Sequence, residues 1–126
     1  MRCLIVDDNT EFLEAARRLL EREGISVVGV ATNSAEAIRQ VTELQPDVTL
    51  VDVNLGEESG SDLARRLTAV SDEASTRVIL ISTYTQADLA DALPGDSTMP
   101  FVSKADLSAA AIRTALGLTT DDDPAG

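Results

Sequence analysis

Along this chain, short unbroken apolar runs alternate with longer stretches whose apolar residues recur every three or four positions. Cys3-Leu4-Ile5-Val6 is the first run, and it stops at Asp7-Asp8. Thr10 to Glu23 carries Phe12, Ala15, Ala16, Leu19 and Leu20 at helical spacing, with Asn9 or Thr10 as cap and Gly24 as stop. Val27 to Ala31 is the second run. Asn33 or Ser34 then caps a helix bearing Ala35, Ile38, Val41 and Leu44, which Pro46 ends. Val48 to Val51 is the third run and leads into Asp52. A polar, glycine-bearing loop from Asn54 to Gly60 precedes a helix with Leu63, Leu67 and Val70. Val78 to Ile81 is the fourth run, ending at Ser82. A shorter helix is expected over Gln86–Leu93, stopped by Pro94-Gly95 and followed by a long loop to Thr98. Met99 to Val102 forms a fifth, shorter strand just before Ser103-Lys104. A last helix is expected from Leu107 to Leu116, capped by Asp106.

Five strands and five helices in strict alternation define an α/β chain. Strands that are apolar throughout are buried on both faces, as in a parallel sheet covered by helices. Right-handed crossovers leave few topologies, and a doubly wound, five-stranded sheet of order 2-1-3-4-5 fits the length. The expected domain is 1–118. The end, 119–126, with Asp121-Asp122-Asp123-Pro124, reads as a disordered acidic tail.

Composition narrows the function. The 126 residues include 10 basic and 22 acidic ones, giving a net charge of −12, and no histidine. That balance opposes direct nucleic-acid binding by this chain and suits a hard cation or a basic partner surface. The lack of histidine excludes a Ser-His-Asp triad, a Cys-His pair and ordinary zinc sites within the chain. The lone Cys3 excludes an internal disulfide and reads as a small buried thiol. No apolar run approaches membrane-spanning length, and the N-terminus turns acidic at Asp7 without a secretory core, so a cytoplasmic location is expected.

In open parallel sheets, ligands bind beyond the carboxyl ends of strands where the strand order reverses, here between the first and third strands. That rule gathers Asp7, Asp8 and Asp52, with Ser82 and Lys104 delivered by the fourth and fifth strands. Two carboxylates about 4 Å apart repel by about 4 kcal/mol at an effective dielectric of about 20. Lys104 can offset one charge, and a divalent cation the rest. All-oxygen ligands favour Mg2+, with Mn2+ also accommodated. Carboxylate, hard cation, lysine and hydroxyl together furnish phosphoryl transfer, with a carboxylate as nucleophile. Each residue alone also reads as a turn, a cap or a solvated side chain. Their joint placement at the ends of four strands points to a site.

These motifs are Leu4-Ile5-Val6-Asp7-Asp8, Val51-Asp52-Val53-Asn54-Leu55 with Gly60, Ile81-Ser82-Thr83, and Phe101-Val102-Ser103-Lys104. In this order and at these separations, the chain resembles the receiver domain of bacterial two-component response regulators, to about Leu118. The resemblance implies that Asp52 accepts a phosphoryl group from a phosphohistidine on a sensor histidine kinase. It implies that Mg2+ is held by Asp7, Asp8, Asp52 and the main-chain carbonyl of Asn54, and that Lys104 contacts a phosphoryl oxygen. Ser82 is then the hydroxyl that moves toward the phosphoryl group, and Phe101 the aromatic that turns with it. Such a domain catalyses its own phosphorylation and dephosphorylation and controls an output partner or C-terminal effector domain, often with homodimerisation.

Two positions depart from the family pattern. Ala105 follows Lys104 where the family usually has a proline joined by a cis peptide; a non-proline cis bond costs about 2.5–4 kcal/mol, so either a strained cis bond or a different seating of Lys104 is open. Gly56 stands where a proline is common, loosening that loop. Asn54 and Tyr84 flank the expected phosphoryl position and bear on the lifetime of the phosphorylated form. Competing readings are a receiver-shaped interaction module that signals without phosphate, a flavodoxin-like cofactor binder and an aspartyl-phosphate phosphatase. Asp7-Asp8-Asn9 is electrostatically wrong for a phosphate-binding loop, and Asn54 stands where the phosphatase needs a second Asp.

Overall fold

The structure is a computed structural model, and it describes residues 1–56, 58–69, 77–82 and 100–117. Seven strands appear among them: β1 (Arg2–Val6), β2 (Ser26–Ala31), β3 (Val48–Asp52), β4 (Asn54–Leu55), β5 (Glu58–Ser59), β6 (Arg77–Ser82) and β7 (Phe101–Ser103). The helices are α1 (Thr10–Arg22), α2 (Ser34–Leu44), α3 (Gly60–Ala69) and α4 (Ala109–Ala115). The main sheet has the order β2-β1-β3-β6-β7, with parallel pairing throughout. This is the doubly wound order expected from the apolar runs.

The pleat of β1 explains why both faces need helices. Cys3 and Ile5 enter a core with Leu13, Leu20 and Ile112, which are carried by α1 and α4. Leu4 and Val6 enter a second core with Val41, Leu63 and Leu67, carried by α2 and α3. Alternate residues of one strand thus feed opposite layers. Cys3 is fully buried, and desolvation pushes its thiol pKa up to about 12.

Local chemistry sets the ends of the helices. The Asn9 side chain accepts from the Glu11 and Phe12 amides at 3.0 and 3.2 Å and starts α1. Gly24, at φ +93°, follows its last turn. The Asn33 side chain caps α2 by accepting from the Glu36 amide, and Gln45 ends it in the left-handed region at φ 47°.

Three expectations are corrected. The final helix begins at Ala109 and is capped by Ser108, whose hydroxyl accepts from the Ala111 amide at 3.0 Å. Asp106 instead closes a 3-10 turn over Lys104–Asp106. Ser108 wins because its backbone is extended and the Glu23 carboxylate accepts from the neighbouring Ala109 amide at 2.6 Å. The fifth strand takes in Phe101 and Val102 as expected and runs on to Ser103; Pro100 before it has no N–H to donate and offers its carbonyl to the Leu80 amide, and Met99 lies outside the described residues. The loop after Asp52 is partly ordered as the antiparallel β4–β5 hairpin, in which Asn54 pairs with Ser59. The helix expected over 86–93 and the tail at 119–126 lie outside the described residues, as do Val70 and Tyr84.

Candidate functional site

The carboxyl ends of β1 and β3 bring the three acids together. One carboxylate oxygen from each of Asp7, Asp8 and Asp52 lies within 4.8 Å of the others. Asp7 is completely buried, Asp52 is 7% exposed and Asp8 faces solvent. These three, with Asn9, Asn54, Gly56, Ser82 and Lys104, line one cleft of about 340 Å³. Six of the seven residues expected at the site therefore meet there. Phe101 does not line it; it is half-buried against the α2–α3 core, where Leu80 and Val51 sit. A larger groove of about 730 Å³ runs along α1 beside the end of β2, but it is walled by the paired exposed residues Arg17–Glu21 and Arg18–Glu14.

Each acid is fixed from its own backbone surroundings. Asp7 Oδ1 accepts from the Asn9 amide at 2.8 Å, and Asp52 Oδ1 accepts from the Asn54 amide at 3.1 Å. The remaining oxygens face Lys104, whose Nζ is 2.5 Å from Asp7 Oδ2 and 3.1 Å from Asp52 Oδ2. The lysine donates an aligned hydrogen bond to Asp52. Toward Asp7 it makes an ion pair only, so Asp7 Oδ2 is shielded from water without an aligned hydrogen bond.

The charges are uneven. Burial raises the Asp52 pKa above the ordinary carboxylate value of 3.8, and the neighbouring Asp7 charge adds to this, against the Asn54 amide and Lys104, which pull it down. For Lys104, desolvation pulls downward, yet the close contacts and charges of Asp7 and Asp52 prevail and leave its pKa above 10.5. One ammonium thus serves Asp7 and Asp52, with the Asp8 carboxylate beside them. Asp7 Oδ2 supplies a buried, unaligned acceptor beside two more carboxylates, a donor set of hard oxygens that fits a divalent cation such as Mg2+.

Two glycines make room for this geometry. A Cβ on Gly60 would collide with the main-chain carbonyl of Asp52 and lie 2.8 Å from Val53 Cα. Gly56 has φ +68°, and a Cβ there would be 3.1 Å from Asp8 Oδ2. The family's proline could not occupy Gly56's backbone conformation, since proline fixes φ near about −65°.

Lys104 is seated without a cis bond; no cis peptide occurs among the described residues. Its Nζ lies over the Phe12 ring, 4.3 Å from the centroid. Phe12 entered the sequence reading only as one of the apolar residues of α1. Helical spacing explains its half-buried position but carries no signal for the lysine above it.

A parallel, doubly wound sheet with an acidic notch at its reversal point defines a class of α/β domain whose ligands bind beyond the carboxyl ends of its strands. The family model described as response regulator receiver domain matches residues 3–116, and the chain belongs to that family. It is 32% identical over 108 residues to a protein-glutamate methylesterase/protein-glutamine glutaminase of Archaeoglobus fulgidus, covering 84% of this chain and 30% of that one. It is 30% identical to the transcriptional regulatory protein YdfI of Bacillus subtilis, covering 70% and 40% respectively. The chain thus spans less than half the length of these curated relatives. Among solved structures, the signal receiver domain of NarL from Mycobacterium tuberculosis superimposes with a TM-score of 0.71 at 30% identity, covering 92% of this chain and 93% of that one. The response regulator domain of Thermotoga maritima CheB gives 0.65 at 27% identity, covering 94% and 90%. Among the described residues, no helix is long and apolar enough to cross a membrane.

Proposed function

We propose that this receiver domain takes a phosphoryl group on Asp52 from a phosphohistidine of a sensor kinase, in the cytoplasm, and passes the change to an output partner or effector domain. The observation that carries this reading is the convergence of Asp7, Asp8 and Asp52 within 4.8 Å, with a single lysine paired to Asp7 and Asp52. An interaction module with no phosphoryl chemistry has no need of so crowded a set of acids.

In the transfer step, a carboxylate oxygen of Asp52 attacks phosphorus and forms a P–O bond. The P–N bond to the donor imidazole breaks, its electron pair leaves on nitrogen, and that nitrogen takes a proton to end as neutral imidazole. Asp52 becomes an acyl phosphate. The Asn54 amide on Oδ1 and the Lys104 ammonium on Oδ2 orient the carboxylate before attack. Lys104 is then placed to follow charge onto a phosphoryl oxygen. Asp7, Asp8, Asp52 and the Asn54 carbonyl would hold Mg2+, or Mn2+ in its place. That ion, when bound, neutralises phosphoryl oxygens.

Ser82, 2% exposed at the end of β6, is the hydroxyl that would turn toward the new phosphoryl oxygens. Phe101, on the adjacent β7, would repack with it, making the output a shift between two packings. A homodimer is one form such an output takes.

The test is intact-mass measurement after incubation with acetyl phosphate and Mg2+. Wild type gains one phosphoryl group and Asp52→Ala gains none. Equal modification of the two proteins would remove Asp52 as acceptor, and no modification of either would favour the interaction module.

A further inference from the structure

We infer that Phe12 is a positioning residue for Lys104: its ring face seats the ammonium so that the lysine stays over the acceptor carboxylate. The inference rests on the phosphoryl-transfer reading only for its kinetic consequence; the seat itself is a matter of contacts.

Those contacts form a closed circuit. Asp7 Oδ1 accepts from the Asn9 amide at 2.8 Å. The Asn9 side chain accepts from the Phe12 amide at 3.2 Å and so fixes where α1 begins. Phe12 places its ring beneath Lys104 Nζ, 4.3 Å from the centroid. Lys104 returns to Asp7 Oδ2 at 2.5 Å. One capping residue therefore sets both the carboxylate and the aromatic face that hold the same ammonium.

The seat has work to do. Lysine is a point charge on a flexible four-carbon stem, and holding it in one place opposes its rotamer entropy. The two carboxylates draw it from one side, while the side chain remains 13% exposed. A π face on another side attracts the cation and excludes water without competing for its hydrogen-bond donors. An aliphatic residue would fill the space but supply no quadrupole. This is also how Lys104 stays in the notch with Ala105 after it.

The experiment compares wild type with Phe12→Leu and Phe12→Tyr, each checked for native circular dichroism. The first readout is the NMR signal of the Lys104 ε-methylene protons, which ring current shifts upfield when they lie over an aromatic face. The upfield position is expected in wild type and Phe12→Tyr and lost in Phe12→Leu. The second is the rate of Asp52 phosphorylation by acetyl phosphate at saturating Mg2+. It should fall about fivefold to tenfold in Phe12→Leu, the kinetic equivalent of a partly desolvated cation–π contact, with most of the rate restored in Phe12→Tyr. A Lys104 signal at its ordinary position in wild type would overturn the seat. So would a Phe12→Leu protein that folds and phosphorylates at the wild-type rate. If wild type itself is not phosphorylated, the phosphoryl-transfer reading fails while the NMR comparison still decides the seat.

Discussion

The two ends of the central sheet solve opposite problems. At the amino end, Arg2, Asp47 and Arg77 each have partners of their own. The Asp47 carboxylate accepts from the Arg2 amide at 2.8 Å, and the Asp47 carbonyl accepts from the Arg77 amide at 3.0 Å. The Arg2 guanidinium donates to the Gln45 carbonyl, and that of Arg77 to the Leu116 carbonyl. At the carboxyl end, three carboxylates crowd together, two of them share one ammonium, and a buried oxygen of Asp7 lacks an aligned hydrogen bond. The first edge is balanced by the chain's own groups; the second keeps an excess of acid over base.

The largest expected effect comes from removing the one cation. Lys104→Met leaves buried acids unpaired, and denaturant unfolding of the metal-free protein should show a loss of about 2–3 kcal/mol. Added Mg2+ should restore part of this loss. A loss that Mg2+ leaves unchanged would mean the lysine is structural.

Asp52→Asn should act the other way. Because the folded-state pKa of Asp52 is raised, its contribution to stability is fully present below 3.8 and is lost as pH rises through the folded value. At neutral pH the metal-free variant should therefore melt several degrees above wild type, and its stability should depend less on pH in the acidic range. Equal melting temperatures with and without the charge would erase the contrast between the two edges.

At the amino end, Asp47→Ala should cost less than about 1 kcal/mol, since one exposed side-chain hydrogen bond is lost. Mg2+ should not change that cost. The smallest effect concerns Cys3, in β1. With its thiol pKa at about 12 against an ordinary 9.0, its contribution is intact below 9.0 and fades only as pH climbs toward 12. A thiol reagent at pH 8 should label it only after denaturation; rapid native labelling would show that β1 opens.

The strand order and the meeting of Asp7, Asp8, Asp52, Ser82 and Lys104 were legible because they follow from periodicity and from one rule about strand ends; Asn54 was expected there from the resemblance. Apolar runs mark buried strands wherever they occur, and the polar residue after each run must emerge at the same edge. What was not legible depends on contacts between distant residues. The start of α4 is set partly by Glu23, 86 positions away, and no local pattern near Asp106 or Ser108 announces it. The seat of Lys104 on Phe12 joins the first turn of α1 to the loop after β7. Phe101 was expected from the resemblance, and its place against the α2–α3 core depends on the pairing of β7 with β6.

The division of the interior by the sheet has its own consequence. Phe12 belongs to the layer beneath α1 and α4, while Phe101 belongs to the layer beneath α2 and α3. The aromatic that steadies the lysine and the aromatic assigned to the response are thus insulated from each other by a wall of backbone. In the proposed reading, substitutions at Phe12 should therefore change the rate of phosphorylation more than the response, because the two roles draw on side chains in separate compartments.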